Sequence, residues 1–271
     1  MFPWSSDPMD QLLPSISVCI PARNEEATIG HLVAELQQAT RERGGFIDEL
    51  IVFDHRSTDE TSRVAAHHGA RVIDADAVAA NWGPAMGKGD VLWRSLMASR
   101  GDIVVWVDAD LTNLTWRHVA DLVTPLMSDR SIHLCKAAFT RSMGGVAGEG
   151  GRVTELVAKP ALRLLSPAVT HLAQPLSGQC AIRRSVAEQL VFEVDYGVEI
   201  GLLLDIVDEF GPESVTQVSV GSLDHRHRSL AELSIQSEQV LRALLSRTGL
   251  RGLQAHAIGR PPVASLRFPA A

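Results

Sequence analysis

Ile103-Val104-Val105-Trp106-Val107-Asp108-Ala109-Asp110 is the stretch on which the reading of this chain turns. A short, mostly β-branched apolar run leads straight into carboxylates spaced i, i+2, and such a run predicts a buried parallel strand. In open α/β sheets ligands collect at the carboxyl ends of the strands. If the chain stays extended through Ala109, alternation points Asp108 and Asp110 to one side. Paired carboxylates there suit a hard divalent cation and, through it, a diphosphate. The bare motif is weak, because Asp-x-Asp arises by chance about once in a chain of this size. Asp74-Ala75-Asp76, after Arg71-Val72-Ile73, is a second copy.

The residues before this stretch alternate strand and helix. Ile16 to Ile20 reads as the first strand, with Pro21-Ala22-Arg23-Asn24-Glu25-Glu26 as its exit loop. Ile29, Leu32, Val33 and Leu36 carry helical spacing, which predicts a helix from Thr28 to about Arg43, stopped by Gly44-Gly45. Glu49 to Phe53 is the second strand and ends at Asp54-His55-Arg56-Ser57-Thr58-Asp59. Ser57 or Thr58 is expected to cap the next helix, and Ala70 to Ile73 to form a third strand. Gly83-Pro84-Ala85-Met86-Gly87-Lys88-Gly89 is one residue short of a phosphate loop and lacks its Ser or Thr. A helix follows over Asp90 to Ser99. Alternation of this kind predicts a doubly wound half-sheet. The missing G-x-G-x-x-G after the first strand counts against a nicotinamide site.

Downstream, helices are expected over Trp116 to Met127, Val153 to Leu165, Tyr196 to Phe210 and Leu230 to about Arg247, and strands over Ile132 to Phe139, Cys180 to Arg183 and Val215 to Val220. The run from Met143 to Arg152 is glycine-rich and reads either as a linker or as a substrate clamp. Arg152 and Thr154 at a helix start favour an anion. The tail, with Pro261-Pro262 and Pro269, is extended rather than helical.

Composition narrows the class. The chain has 271 residues, 45% hydrophobic and 21% charged, as befits a globular protein with a full core. A net charge of −7 argues against a nucleic-acid surface. The apolar runs are too short to span a bilayer, and the N-terminus lacks the pattern of a signal peptide. The 3 cysteines, Cys19, Cys135 and Cys180, form no Cys-x-x-Cys pair. That disfavours a cysteine zinc site and fits a reducing cytoplasm.

From the residues alone, the leading cluster is Asp108, Asp110 and His225, whose oxygen-rich set suits Mn²⁺ or Mg²⁺ better than Zn²⁺. The plainer alternative for His225 is an exposed loop histidine, and for Lys88 a solvated lysine. The order of motifs carries more weight. Pro21-Ala22-x-Asn24-Glu25-Glu26, Asp54-x-x-Ser57-Thr58-Asp59, Gly87-Lys88-Gly89 and Asp108-x-Asp110 resemble the layout of GT-A glycosyltransferases. Gly151-Arg152-Val153-Thr154-Glu155-Leu156-Val157-Ala158, Gln174-Pro175-Leu176-x-Gly178, Tyr196-Gly197-Val198-Glu199-Ile200 and His225-Arg226 are similar to the glucosyl-3-phosphoglycerate synthase family.

The resemblance implies a GT-A α/β fold with a mixed central sheet. Residues 1–14 would be a lead-in, 15–130 a nucleotide-sugar-binding half, 131–250 an acceptor-binding half and 251–271 a tail. It implies a retaining, metal-dependent hexosyltransferase acting from UDP-glucose on 3-phosphoglycerate, working as a cytoplasmic homodimer. Asp110 and His225 would hold Mg²⁺ or Mn²⁺. Pro21, Ala22, Arg23, Glu25, Asp54, His55, Lys88, Asp108, Ala109, Tyr196 and Arg228 would line the donor. Glu199 would grip the sugar, the backbone at Leu176 would lie at the reacting centre, and Gly151, Arg152, Thr154 and His227 would take the acceptor. This chain departs from the family at Arg23, at His55 and Arg56 where the family has a small pair, and at Leu223 and His227 where it has Arg and Asn. The alternatives are a relative with another donor or acceptor, such as a nucleoside or aminosugar, and a sugar nucleotidyltransferase.

Overall fold

The computed structural model describes residues 13–143, 146–147, 151–224 and 229–248. The lead-in before residue 13, residues 144–145 and 148–150, residues 225–228 and the tail from 249 lie outside them.

The strands are β1 (Ile16–Ala22), β2 (Glu49–Asp54), β3 (Arg71–Asp74), β4 (Ile103–Trp106), β5 (Leu134–Met143), β6 (Val146–Ala147), β7 (Cys180–Arg183) and β8 (Val215–Leu223). They are hydrogen-bonded in the order β3-β2-β1-β4-β7-β5-β6, with β8 paired to β5. β1 to β4 run parallel to one another. β7 lies antiparallel between β4 and β5, so a strand from the second half of the chain closes the gap beside the first. One mixed sheet therefore runs through both halves.

The helices are α1 (Ile29–Gln37), α2 (Thr61–His67), α3 (Lys88–Ala98), α4 (Trp116–Ser128), α5 (Lys159–Leu165), α6 (Arg184–Ala187), α7 (Val198–Phe210) and α8 (Leu230–Thr248). α1 and α4 bury Leu32, Leu36, Val119 and Leu122 on one face of the sheet. α3, α5, α7 and α8 bury Leu92, Leu162, Ile200 and Leu244 on the other. The central strand β4 is buried on both faces, which is why Ile103 to Trp106 reads as an unbroken apolar run.

Several local expectations change. α1 stops at Gln37 rather than Arg43. The Phe46 and Ile47 amides donate back to Ala39 O, which turns the chain early and leaves Arg41–Arg43 as a single 3₁₀ turn. α3 begins at Lys88, not Asp90, so Lys88 is its first residue. Neither Ser57 nor Thr58 caps α2. Ser57 Oγ accepts from the Asn24 amide and the Thr58 amide donates to Asn24 Oδ1, while Asp59 Oδ1 accepts from Thr61 N. Residues Thr154–Ala158 form a π turn that leads into α5.

Candidate active site

β4 ends at Trp106, and the chain turns at Ala109 and Asp110. The strand is therefore not extended through Ala109, and the premise that alternation puts both carboxylates on one side does not hold. The turn is fixed from outside: Thr28 Oγ1, from the end of the β1 exit loop, donates to Ala109 O at 2.8 Å.

Asp108 has specific partners. Lys88 Nζ lies 2.6 Å from Asp108 Oδ1 and 2.6 Å from Glu199 Oε1. Gln179 Nε2 donates to Asp108 Oδ2 at 2.6 Å. Lys88 opens α3, Asp108 follows β4, Gln179 precedes β7 and Glu199 opens α7, so four separate elements meet at one edge of the sheet. Burial alone would push the Lys88 pKa down. The Asp108 and Glu199 carboxylates, with the hydrogen bonds they accept, more than reverse that and hold it well above the ordinary lysine value. The Tyr196 ring lies 6.0 Å from Lys88 Nζ. Gly178 lines the same knot: a Cβ there would stand 2.6 Å from both Asp108 Oδ2 and Lys88 Nζ.

The other expected donor residues gather at the ends of β1 and β2. Ala22 pairs in register with Asp54, the His55 amide donates to Ala22 O, and the Glu25 amide donates to Thr61 Oγ1. Arg23 is exposed. Arg56 adopts φ 57°, a left-handed conformation that glycine takes without strain, and the family resemblance places a small residue here. A two-pronged ion pair to Asp76 and a 3.2 Å bond to Ala85 O hold it. The His55 ring also bonds Ala85 O, at 3.1 Å. Asp76, half of the second Asp-x-Asp, is thus a structural partner of Arg56.

Of the residues expected to meet the acceptor, Thr154 is buried in the π turn, and its neighbours Val153 and Ala158 pack into the same apolar layer as Trp106 and Val198. Gly151 takes φ 77° and its carbonyl accepts from Glu155 N. Arg152 sits between them, and Leu176 is half-buried beside the same layer. His225, His227 and Arg228 fall outside the described residues. Among the described residues no three His, Cys, Asp or Glu side chains cluster as metal ligands.

Several functional neighbours escaped the sequence reading. Asn113, three residues past Asp110, donates to Ser222 O at 2.8 Å and accepts from Asp224 N at 3.1 Å, clasping the end of β8. Arg94 is fully buried and bonds Asp90 and the carbonyls of Ala75, Val78 and Gly83, which shapes the loop leading to Lys88. Only Gln179 offered a signal, a polar residue next to Gly178 that leads into the apolar strand β7.

An open-ended α/β sheet with a Lys-carboxylate knot at its carboxyl edge, fed by a strand-end Asp-x-Asp, defines a glycosyltransferase of GT-A type. The family model of glycosyl transferase family 2 matches residues 17–190. The glucosyl-3-phosphoglycerate synthase of Mycolicibacterium paratuberculosis is 45% identical over 243 residues, covering 87% of this chain and 73% of that protein. The crystal structure of the Mycobacterium tuberculosis enzyme in complex with Mn²⁺, UDP-glucose and phosphoglyceric acid is 44% identical with a TM-score of 0.81, covering 87% of this chain and 80% of that one. Its complex with Mg²⁺ and UDP matches at 42% identity and a TM-score of 0.81, over 90% and 84%. The chain belongs to glycosyl transferase family 2 and, within it, to the glucosyl-3-phosphoglycerate synthases.

Proposed function

We propose that this protein transfers glucose from UDP-glucose to the free hydroxyl of 3-phosphoglycerate with retention at the anomeric carbon. The observation that carries the reading is the Lys88 bridge, 2.6 Å to Asp108 and 2.6 Å to Glu199. It joins the nucleotide side and the sugar side at one point. Complexes of the Mycobacterium tuberculosis relative with UDP-glucose and phosphoglyceric acid support the substrate pair.

In this reading Pro21, Ala22, Glu25 and Asp54 flank the nucleoside, and Asp108 with the Ala109 turn faces the ribose. Lys88 and Arg228 meet the diphosphate. Tyr196 and Glu199 hold the sugar. The Leu176 backbone borders the reacting centre, and Gly151, Arg152, Thr154 and His227 take the acceptor. Asp110 and His225 hold Mn²⁺ or Mg²⁺. The Asn113 clasp supports this pairing, because it ties residues 222 and 224, just before His225, to the segment just after Asp110. A carboxylate with an imidazole fits either ion, and the bound ion stabilises charge on the leaving diphosphate. The acceptor hydroxyl enters on the face the diphosphate leaves, and a phosphate oxygen receives its proton, so no protein nucleophile is required. Residues 15–130 and 131–250 act as the donor and acceptor halves.

The test is product formation from UDP-glucose, 3-phosphoglycerate and Mn²⁺, with the anomeric configuration read by NMR. Asp110→Ala should lose on the order of a thousandfold in kcat/KM. No transfer by the wild type, an inverted product, or near-full activity in Asp110→Ala would each refute the reading.

His55 and Arg56 favour one variation. Both bond Ala85 O where the family resemblance has a small pair, which reshapes the wall beside the nucleobase. A panel of UDP-, ADP- and GDP-glucose measures whether the preferred base has changed.

The protein is further proposed to work as a cytoplasmic homodimer. Leu156 on the π turn and Leu230 and Ile235 on α8 are exposed, and α8 packs against the π turn, so these apolar side chains lie on neighbouring elements. Cys19, Cys135 and Cys180 are all buried and free, which fits a reducing compartment. No described helix is long and apolar enough to cross a membrane. Sedimentation of the purified protein decides its oligomeric state, and a monomer would reject the dimer.

A further inference from the structure

Lys136 is employed by none of the roles above. It stands in β5 with 1% of its surface exposed, in register with Cys180 of β7 and Gln217 of β8. Cys135 and Ala137 on either side of it face the α1–α4 layer, and Leu134 faces the opposite one. Alternation therefore turns Lys136 toward the layer of α3 and α7, whose first turns carry Lys88 and Glu199. Its charged neighbours are Glu199, Lys88 and Asp108. The carboxylates of Asp108 and Glu199 pair with Lys88, and a lysine as little exposed as Lys136 is costly to keep charged.

The charge balance of the knot gives it a use. Lys88 alone faces Asp108 and Glu199, which leaves one negative charge in the interior, and Lys136 brings the sum to zero. On the reading proposed above, on which this inference rests, the donor diphosphate draws Lys88 away. Glu199, 7% exposed, then loses its paired cation just as it must grip the sugar. We propose that Lys136 is a positioning residue whose buried charge replaces Lys88 as the counter-charge of Glu199 when the donor binds, keeping that carboxylate directed at the sugar.

Burial lowers the Lys136 pKa below the ordinary lysine value. Glu199 and Asp108 oppose that, and Lys88 adds to it. As Lys88 moves off, its repulsion falls and the charged amine is favoured more strongly.

The experiment compares Lys136→Met, Lys136→Arg, Glu199→Gln and the Lys136→Met/Glu199→Gln pair. UDP and UDP-glucose binding are measured by calorimetry with Mn²⁺ present, and turnover is measured alongside. In Lys136→Met, UDP affinity should stay within about twofold, while UDP-glucose affinity and kcat/KM fall about tenfold or more. Arg should recover part of the loss. In the Glu199→Gln background the Met substitution should add less than about twofold, because the lysine acts through that carboxylate. Equal weakening of UDP and UDP-glucose, additive losses in the double variant, or wild-type behaviour of Lys136→Met would each overturn the proposal. Met removes a costly buried charge, so the variant should fold. If it does not, Lys136→Gln is measured instead, and failure of both assigns the ammonium to the fold and overturns the proposal. Failure of the wild type to glucosylate 3-phosphoglycerate refutes the function, but the UDP against UDP-glucose comparison still reads Lys136.

Discussion

Gly178 leaves no room for a side chain. A Cβ at this position meets the ends of Asp108 and Lys88, not backbone, so Gly178→Ala should fold with little loss of stability while pushing the ion pair apart. We expect kcat/KM to drop about a hundredfold, since small misplacements at a reacting centre cost that much, with a thermal midpoint close to that of the wild type. An unchanged kcat/KM would mean that the knot has no catalytic use. Arg56 shows the opposite accommodation. It accepts a left-handed backbone because Asp76 and Ala85 bind its guanidinium, so a residue foreign to the family pattern is held by partners some twenty and thirty positions away in sequence.

The elements that present the knot are tied together by buried polar groups. Arg94 on α3 reaches across to the loop before Lys88, with its side chain 1% exposed against 11% for Asp90. Removing it leaves the Asp90 side chain with only the Met86 amide as a partner among the described residues and takes a donor from several carbonyls, and Arg94→Ala should cost about 3–5 kcal/mol in urea unfolding. A loss below about 1 kcal/mol would show that the loop holds without it. α4 carries a second, pH-sensitive device. Thr115 and His118 form a capping box in which the Thr115 amide donates to His118 Nδ1 at 2.8 Å. Burial holds the His118 pKa below the ordinary histidine value. The unfolded chain therefore takes up the proton first, and this contribution to stability, complete above about pH 6.5, is lost as the pH falls through the lowered native value. His118→Gln keeps a side chain able to reach the Thr115 amide and removes the titration. The urea midpoint should fall more steeply between about pH 7.5 and 5.5 in the wild type than in the variant, and parallel profiles would exclude His118 as the cause.

At the scale of the whole molecule, the site joins pieces from both halves of one continuous sheet, so ligands that bind across it should stabilise the entire fold. With Mn²⁺ present throughout, UDP at about a hundred times its dissociation constant should add about 2.7 kcal/mol. That amounts to roughly 5–10 °C in melting temperature for a chain of this size. Either ligand alone should add clearly less, because cation and diphosphate hold each other. Equal shifts with and without Mn²⁺ would argue that the diphosphate binds without a metal.

The alternation of strand and helix up to Asp110, the double-faced burial of β4 and the place of Asp108 at a sheet edge were all legible from residue periodicity. A strand's burial is written in its own side chains. The family layout was legible too, because it rests on short motifs in a fixed order. What the sequence could not yield is what touches what. The insertion of β7 between β4 and β5, the Lys88 bridge to Glu199 more than a hundred positions away, the use of Asp76 to hold Arg56, and the buried Lys136 all depend on how distant segments pack. Local pattern fixes which face of an element is buried. The partner of a buried charge is chosen only when the whole sheet is assembled, since an ion pair follows distance in space and not along the chain.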